Sequence, residues 1–212
     1  MWYIIEWRWK ESMNRKLFYL YHLVVKHDVF SPLTIRRFGK AGKGLLIFKP
    51  IQLDRKRSYI HLGNNVVIRK YARINCYPGW NAEKDNEPII TIGDGCIIGQ
   101  RLSLLAGGKI TIGNNVLMAS DILVTSENHS IDPEDVKYYK DQPLKCADVE
   151  IKEGSWIGEK VCIMPGVTIG KKSIIGAGSI VTKDIPDYSI AVGNPAHVIK
   201  KYDFEKHQWV QV

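Results

Sequence analysis

Residues 151–186 read IKEGSW-IGEKVC-IMPGVT-IGKKSI-IGAGSI-VTKDIP, and the first position of each six is Ile151, Ile157, Ile163, Ile169, Ile175 and Val181. The fifth position is small or β-branched throughout: Ser155, Val161, Val167, Ser173, Ser179 and Ile185. A helix repeats its apolar residues at three and four, and a strand at two. A period of six fits neither. It suits a chain that runs a short extended stretch, turns a corner and repeats, so that three sixes close one triangular coil. The aliphatic residue then fills the prism, and the small one lets the backbone turn beneath it. The expected fold is an all-β solenoid.

Working outward, the sixes begin faintly at Leu62, Ile68 and Ile74 and are interrupted by YPGWNAEKDNEP at 77–88, a turn-rich stretch without periodicity. They resume at Ile92, Ile98, Leu104 and Ile110, slip by two, and continue at Ile112, Met118 and Val124. Gly107-Gly108 is the expected place of the slip, a two-residue bulge at a corner. After Val124 the pattern breaks for 26 residues before Ile151. A polar loop leaving a rigid solenoid, here at about 125–148, is where such a scaffold carries chemistry. Past Pro186 come a partial coil, a Gly-Asn-Pro turn and a basic, partly aromatic tail that should fold back as a cap. The organisation expected is a helical segment over 1–57, the solenoid over 58–190 and the cap over 191–212.

With 212 residues the chain can bury a proper core. It shows no secretory leader of the usual kind and no apolar run long enough to span a bilayer. Cys76, Cys96, Cys146 and Cys162 have no paired or CxxC spacing, which reads as reduced thiols in the cytoplasm. Cys96 takes the fifth, inward position of its six.

Charge is uneven: residues 1–57 hold thirteen basic and four acidic side chains, the rest seventeen and eighteen. The whole basic excess sits in the N-terminal quarter and suggests an anionic partner there. That segment is rich in aromatics (Trp2, Tyr3, Trp7, Trp9, Phe18, Tyr19, Tyr21), and Leu17, Leu20, Tyr21, Val24 and Val25 recur at helical spacing. A helix is expected over about Ser12–Lys26, with that stripe as its apolar face. Ser31-Pro32 reads as a cap and first-turn proline of a second helix, stopped at Gly39. The favoured expectation is a helical layer packed on the neighbouring coil or subunit. The alternative is an interfacial helix on an anionic membrane, or basic side chains (Arg8, Lys10, Arg15, Lys16, Arg36, Arg37, Arg55, Lys56, Arg57) facing an acidic polysaccharide. Met13 is a second candidate start. No nucleic-acid motif accompanies the charge.

The run WIGEKVCIMPGVTIGKKSIIGAGSIVTKDIPDYSIAVGNPAHVIK (156–200) resembles the C-terminal half of hexapeptide-repeat acyltransferases. Within them it is most similar to sugar O-acetyltransferases of the galactoside, maltose and capsule or exopolysaccharide type. The similarity spans about Tyr59–Lys200 and does not explain residues 1–57. It implies a left-handed parallel β-helix, against the usual right-handed crossover. It also implies a homotrimer with acetyl-CoA as co-substrate in the groove between two prisms, and no metal.

Carried over by position, the resemblance makes His129, in Asn128-His129-Ser130, the catalytic histidine and Trp156 a tryptophan beside the site. Ala177 in the GAGS turn matches the residue whose backbone bonds the pantetheine arm. Thr182 and Lys183 match the pair near the nucleotide end, and Asn75 an asparagine that touches the acceptor. Asn128 joins it as an acceptor-side residue. The chain departs from the galactoside pattern at Glu159, where a cofactor-contacting serine stands, and at His197 and Lys200, which replace two arginines near the 3′-phosphate. Its loop after His129 is also longer and resembles that of antibiotic acetyltransferases.

A sugar hydroxyl needs a base as it attacks a thioester, and histidine, with a pKa of about 6.5, supplies a neutral one. In direct transfer His129 takes the hydroxyl proton, a backbone N–H holds the developing oxyanion, and the imidazolium protonates the departing thiolate. Glu127 or Asp132 orients the ring. A different class, the zinc carbonic anhydrases built from such repeats, would need His61, His129 and His197 to converge, and their spacing in the coil opposes it. The expected activity is acetyl-CoA-dependent O-acetylation of a sugar in polysaccharide synthesis, in the cytoplasm or at the inner face of the membrane. The runner-up is N-acetylation of an amino sugar, or O-acetylation of an antibiotic.

Overall fold

The structure, a computed structural model, describes residues 15–53, 57–77 and 89–212. Trp2, Tyr3, Trp7, Trp9, Arg8, Lys10, Met13, Arg55, Lys56 and all but Tyr77 of the 77–88 loop lie outside the described residues.

The sixes do what their period predicts. Ile151, Ile157, Ile163, Ile169, Ile175 and Val181 are all 0% exposed, and the fifth-position residues are buried with them. Ile151 pairs in parallel with Ile169, Ile157 with Ile175 and Ile163 with Val181, each eighteen residues on. Three sixes close one coil. Each buried isoleucine contributes about 1.5–3 kcal/mol of transfer free energy. Buried hydroxyls in the fifth position also tie rungs together. Ser173 Oγ donates to Pro186 O (2.7 Å) and accepts from Ser189 N (3.1 Å). Ser179 Oγ donates to Gly176 O (2.7 Å) and accepts from Gly193 N (3.1 Å).

The prism has three parallel faces. The first holds Lys40–Ala41, Ile60–Leu62, Ile90–Ile92, Ile110–Ile112, Val149–Ile151 and Thr168–Ile169. The second runs from Leu46–Ile47 through Val67–Ile68, Ile97–Ile98, Leu117–Met118, Trp156–Ile157 and Ile174–Ile175 to Ser189–Gly193. The third comprises Gln52–Leu53, Arg73–Cys76, Ser103–Ala106, Leu123–Thr125, Cys162–Ile163 and Ile180–Val181. Register crosses the slip intact, with Ile92 paired to Ile112, Ile98 to Met118 and Leu104 to Val124. The two extra residues sit at Gly107-Gly108, between Ala106 and Ile110, as expected. Cys96 is buried, with its Sγ donating to Gly113 O at 3.0 Å, and none of the four cysteines forms a disulfide.

The solenoid begins earlier than residue 58. Ala41 pairs with Leu62, Ile47 with Ile68 and Leu53 with Ile74, so residues 40–53 form a first rung within the segment expected to be helical. Its register residues, exposed Ala41, buried Ile47 and half-buried Leu53, are themselves six apart. Alanine at the first of them hides the period, because so small a side chain carries little hydrophobic signal.

The N-terminal helix is present, as an α-helix Arg15–Leu20 continuing into a π-helical turn Tyr21–Lys26 that ends at His27 with φ 52°. Its packing face differs from the expected one. Phe18, Tyr19 and Leu23 pack against Val29, Leu46, Phe48 and Val67 on the first rungs, and Tyr19 Oη donates to Phe30 O (3.1 Å). Leu17, Leu20, Tyr21 and Val24 remain exposed. The helix is apolar on both sides, and the aromatic side, with more area to bury, took the coil. The second helix is Pro32–Ile35, with Ser31 Oγ accepting from Thr34 N. It stops short of Gly39 because Phe38 turns into the core. At the far end Ala196–Asp203 and Gln208–Gln211 add two antiparallel strands to the second face. Tyr188, Phe204, Tyr202 and Trp209 interlock edge to face over them, with centroids 4.9–5.3 Å apart. Among the described residues no helix is long and apolar enough to cross a membrane.

Candidate active site

The expected loop after Val124 is a β-hairpin. Glu127–His129 runs antiparallel to Leu144–Cys146, with Glu127 opposite Cys146 and His129 opposite Leu144. It leaves the prism at the edge between the third and first faces, beside Gly107-Gly108. A Cβ on Gly107 would lie 2.7 Å from Cys146 Sγ and 2.8 Å from Glu127 Cβ. The two-residue slip and the excursion are therefore one structural event, the bare corner making room for the hairpin base. Buried Ser126 locks that base, donating from Oγ to Gly108 O (2.8 Å) while its carbonyl accepts from Ala147 N (3.0 Å).

The tip is ordered by its own polar groups. Gln142, 3% exposed, donates from Nε2 to Asp132 O (2.8 Å) and Lys137 O (2.9 Å). Asp132 Oδ1 accepts from Glu134 N at 3.0 Å and Asp135 Oδ1 from Lys137 N at 2.8 Å, the turn chemistry typical of aspartate.

His129 and Asn128 are exposed at an open cleft of about 590 Å³, completed by Ile131, Lys145, Cys146, Ala147 and Pro165. Glu127 and His129 are two apart on one strand and share a face, whereas Asp132 spends a carboxylate oxygen on the tip turn. Burial pushes the Cys146 thiol up, with Glu127 and Asp148 adding to the rise. A raised thiol pKa disfavours the thiolate that a cysteine nucleophile needs. Lys145 and Ile131 escaped the sequence reading because they fall outside the period of six.

The remaining predicted residues fall into separate groups. Thr182 and Lys183 stand on the same edge as the hairpin, one rung beyond Pro165, where Met164 N donates to Val181 O and Thr168 N to Asp184 Oδ1. Asn75 lies on the third face in a ladder with Leu105 and Thr125, its Nδ2 donating to Tyr77 Oη at 3.2 Å. Trp156, Glu159 and Ala177 occupy the second face and its edge with the third. Trp156 is 49% exposed and stands above Leu117 and Ile97, also exposed. The corner 158–160 stacks on 176–178, Gly178 N donating to Glu159 O at 2.7 Å. The packing is tight, since a Cβ on Gly158 would meet Ala177 N and Ile175 O at 2.7 Å. Gly178 adopts φ +73° and faces open space. Ala177 is exposed, and among the described residues its N–H has no hydrogen-bond partner. Such a corner is smooth and carries an available donor, which suits a linear amide-bearing chain. His197, exposed, and Lys200, half-buried, lie on the cap strand Ala196–Asp203. A single chain thus places His129 on one edge of the prism and Trp156 with Ala177 on another. His61 is on the first face, and among the described residues no three His, Cys, Asp or Glu side chains gather as a metal site.

Residues 148–183 match the family model "Bacterial transferase hexapeptide (six repeats)". A galactoside O-acetyltransferase of Lactococcus lactis is 38% identical over 146 residues, 69% of this chain and 65% of that protein. One of Escherichia coli is 39% identical over 121 residues, 57% of this chain and 58% of that protein. The chain therefore spans less than two thirds of the length of these curated relatives. Among solved structures, a maltose O-acetyltransferase of Clostridium difficile aligns with TM-score 0.52 and 33% identity over 79% of this chain and 72% of that one. An N-acyltransferase of Bacillus cereus, in complex with dTDP and 3-hydroxybutyryl-CoA, aligns with TM-score 0.69 over 84% of this chain and 92% of that one, at 24% identity, a likeness of fold. With its parallel rungs, its hexads and these relatives, the chain belongs to the left-handed β-helix, hexapeptide-repeat acyltransferases, and within them it is similar to sugar O-acetyltransferases.

Proposed function

We propose that the protein transfers acetyl from acetyl-CoA to a sugar hydroxyl, with His129 as general base, in the synthesis of a cell-surface polysaccharide. The observation that carries this reading is the placement of His129. An exposed imidazole stands on a braced hairpin, at a cleft, on the same prism edge as Thr182 and Lys183. His129 takes the proton as the sugar oxygen bonds the acetyl carbon, and returns it to sulfur as the carbon–sulfur bond breaks, giving the ester and free CoA. Glu127, on the same strand face, fixes the ring. The exposed Ala177 N–H and the glycines beside it accommodate the pantetheine amides, and Thr182 and Lys183 lie toward the nucleotide.

A homotrimer completes the site. Ile97, Leu117 and Trp156 form an exposed apolar column on the second face, of the kind that marks an interface. A neighbour packed there brings its own His129 opposite the first protomer's Trp156, Glu159 and Ala177. The polysaccharide part rests on the basic N-terminal quarter, which a small-sugar enzyme does not need. N-acylation of an amino sugar is the second reading, favoured by the fold likeness to the Bacillus enzyme.

The test is thiol release from acetyl-CoA by wild type and His129→Ala, with galactosides and glucosides, amino sugars, an acidic oligosaccharide and chloramphenicol as acceptors. Release on a sugar class that disappears in the variant is the expected result. Turnover on chloramphenicol alone moves the protein to the antibiotic branch, and an unimpaired, folded, trimeric His129→Ala refutes the proposed base.

A further inference from the structure

We propose that the first rungs of the prism dock on an anionic lipid bilayer through the outer stripe of the N-terminal helix, which lies on the outside of the second face at Leu46 and Val67. This inference is independent of the reaction catalysed. Phe18, Tyr19 and Leu23 satisfy the coil, yet the opposite side of the same helix is also apolar. Leu17, Leu20, Tyr21 and Val24 are 58%, 42%, 44% and 60% exposed, at i, i+3, i+4 and i+7. Leu33 on the second helix is 73% exposed. A helix apolar on both sides requires a cover on each.

The charge around the stripe selects the cover. Residues 15–53 carry eight basic side chains and one acid, Asp28. That acid is committed inward, 2.8 Å from His22 Nδ1 and 3.1 Å from Lys70 Nζ. Lys16, Lys26, Arg36, Arg37, Lys40, Lys43 and Lys49 are exposed. Between the two helices and the first rung opens a cleft of about 600 Å³ with an apolar floor of Tyr19, Pro32, Ile35, Leu45 and Leu46 and with Lys16 and Arg36 at its rim. Apolar side chains entering the acyl boundary beneath a ring of cations describe an interfacial membrane contact. The trimer neighbour proposed above packs further along the same face, at Ile97, Leu117 and Trp156, and a second copy seated on the stripe itself would bring an equally cationic surface against it.

The experiment is flotation of the full chain with vesicles of phosphatidylcholine alone and of phosphatidylcholine mixed with phosphatidylglycerol, at low and high salt. The expected result is co-flotation with the anionic vesicles only, weakened by salt. It should fall at least tenfold both in Leu17→Glu/Leu20→Glu and in Lys16→Glu/Arg36→Glu, with unchanged melting temperatures. Absence of flotation, equal flotation with neutral vesicles or flotation undiminished in both variants overturns the proposal. So does a lipid-free assembly that is larger in wild type than in Leu17→Glu/Leu20→Glu, since a second copy then covers the stripe. Lipid binding is read without acetyl transfer, so failure of either proposal leaves the other standing.

Discussion

Residues 149–185 and residues 40–125 build the same prism by different means. In the first, rungs are eighteen residues apart at Ile151–Ile169, Ile157–Ile175 and Ile163–Val181, and shorten to sixteen only at the last step, Ile169–Ile185. In the second the separations are twenty-one, thirty and twenty (Ala41 to Leu62, Leu62 to Ile92, Ile92 to Ile112). The junction between the halves is the longest step, thirty-nine residues from Ile112 to Ile151, and it carries His129. The interior asks only for an aliphatic side chain at each register point and is indifferent to what a corner extrudes. Regularity thus reports stability, and departure from it reports where chemistry can be placed.

The largest effect should come from the junction. His129→Ala is expected to lower turnover by about 10²–10⁴-fold with no change in melting temperature, since the ring is exposed. Steady-state kinetics beside a thermal melt separates the two. The regular half should behave oppositely. Ile163→Ala, at a position 0% exposed, should cost about 2–5 kcal/mol by denaturant unfolding. Leu104→Ala, equally buried in the irregular half, should cost a similar amount, and a much smaller loss there would break the claim that both halves share one core. Gly107→Ala sits between these cases. The added methyl must displace the hairpin base and should cost about 1–3 kcal/mol, with a fall in kcat that the lost stability does not explain.

The smallest effect concerns the helix that the first rung holds. Burial raises the Asp28 carboxyl, but its hydrogen bonds with His22 and Lys70 outweigh burial, and the group ionises below its ordinary value. A depressed pKa stabilises the fold above the unfolded-state value of 3.8 and is lost as pH falls through the folded one. Wild type should therefore lose more melting temperature than Asp28→Asn between pH 5 and pH 3. Parallel slopes would remove Asp28 from the account.

The regular half was legible because a six-residue period survives in the letters themselves. The first rung was not, because Ala41 stands where the period wants a large aliphatic. The helix was legible as a helix and misread as to its buried side, since two apolar stripes one residue apart look alike until aromatic area is weighed against aliphatic. His129 could be found from its neighbours and its place at the break. The separation of His129 from Trp156 and Ala177 could not, for it depends on which edge of a three-sided prism each corner occupies. Lys145 and Ile131 left no trace because one sits on a hairpin strand too short to carry a period of its own and the other just past the end of its partner.

A stack of parallel strands is also a ruler. The third face climbs three steps from Gln52–Leu53 to Leu123–Thr125, and at about 4.8 Å per step the hairpin leaves roughly 14 Å above the first rung. For a protein held to a surface at its first rungs, the His129 imidazole has a fixed distance along the prism from that contact, set by rung number alone. An acceptor tethered to the same surface must then present its hydroxyl at that distance. A variant one coil taller would reach a different sugar of the same tethered chain.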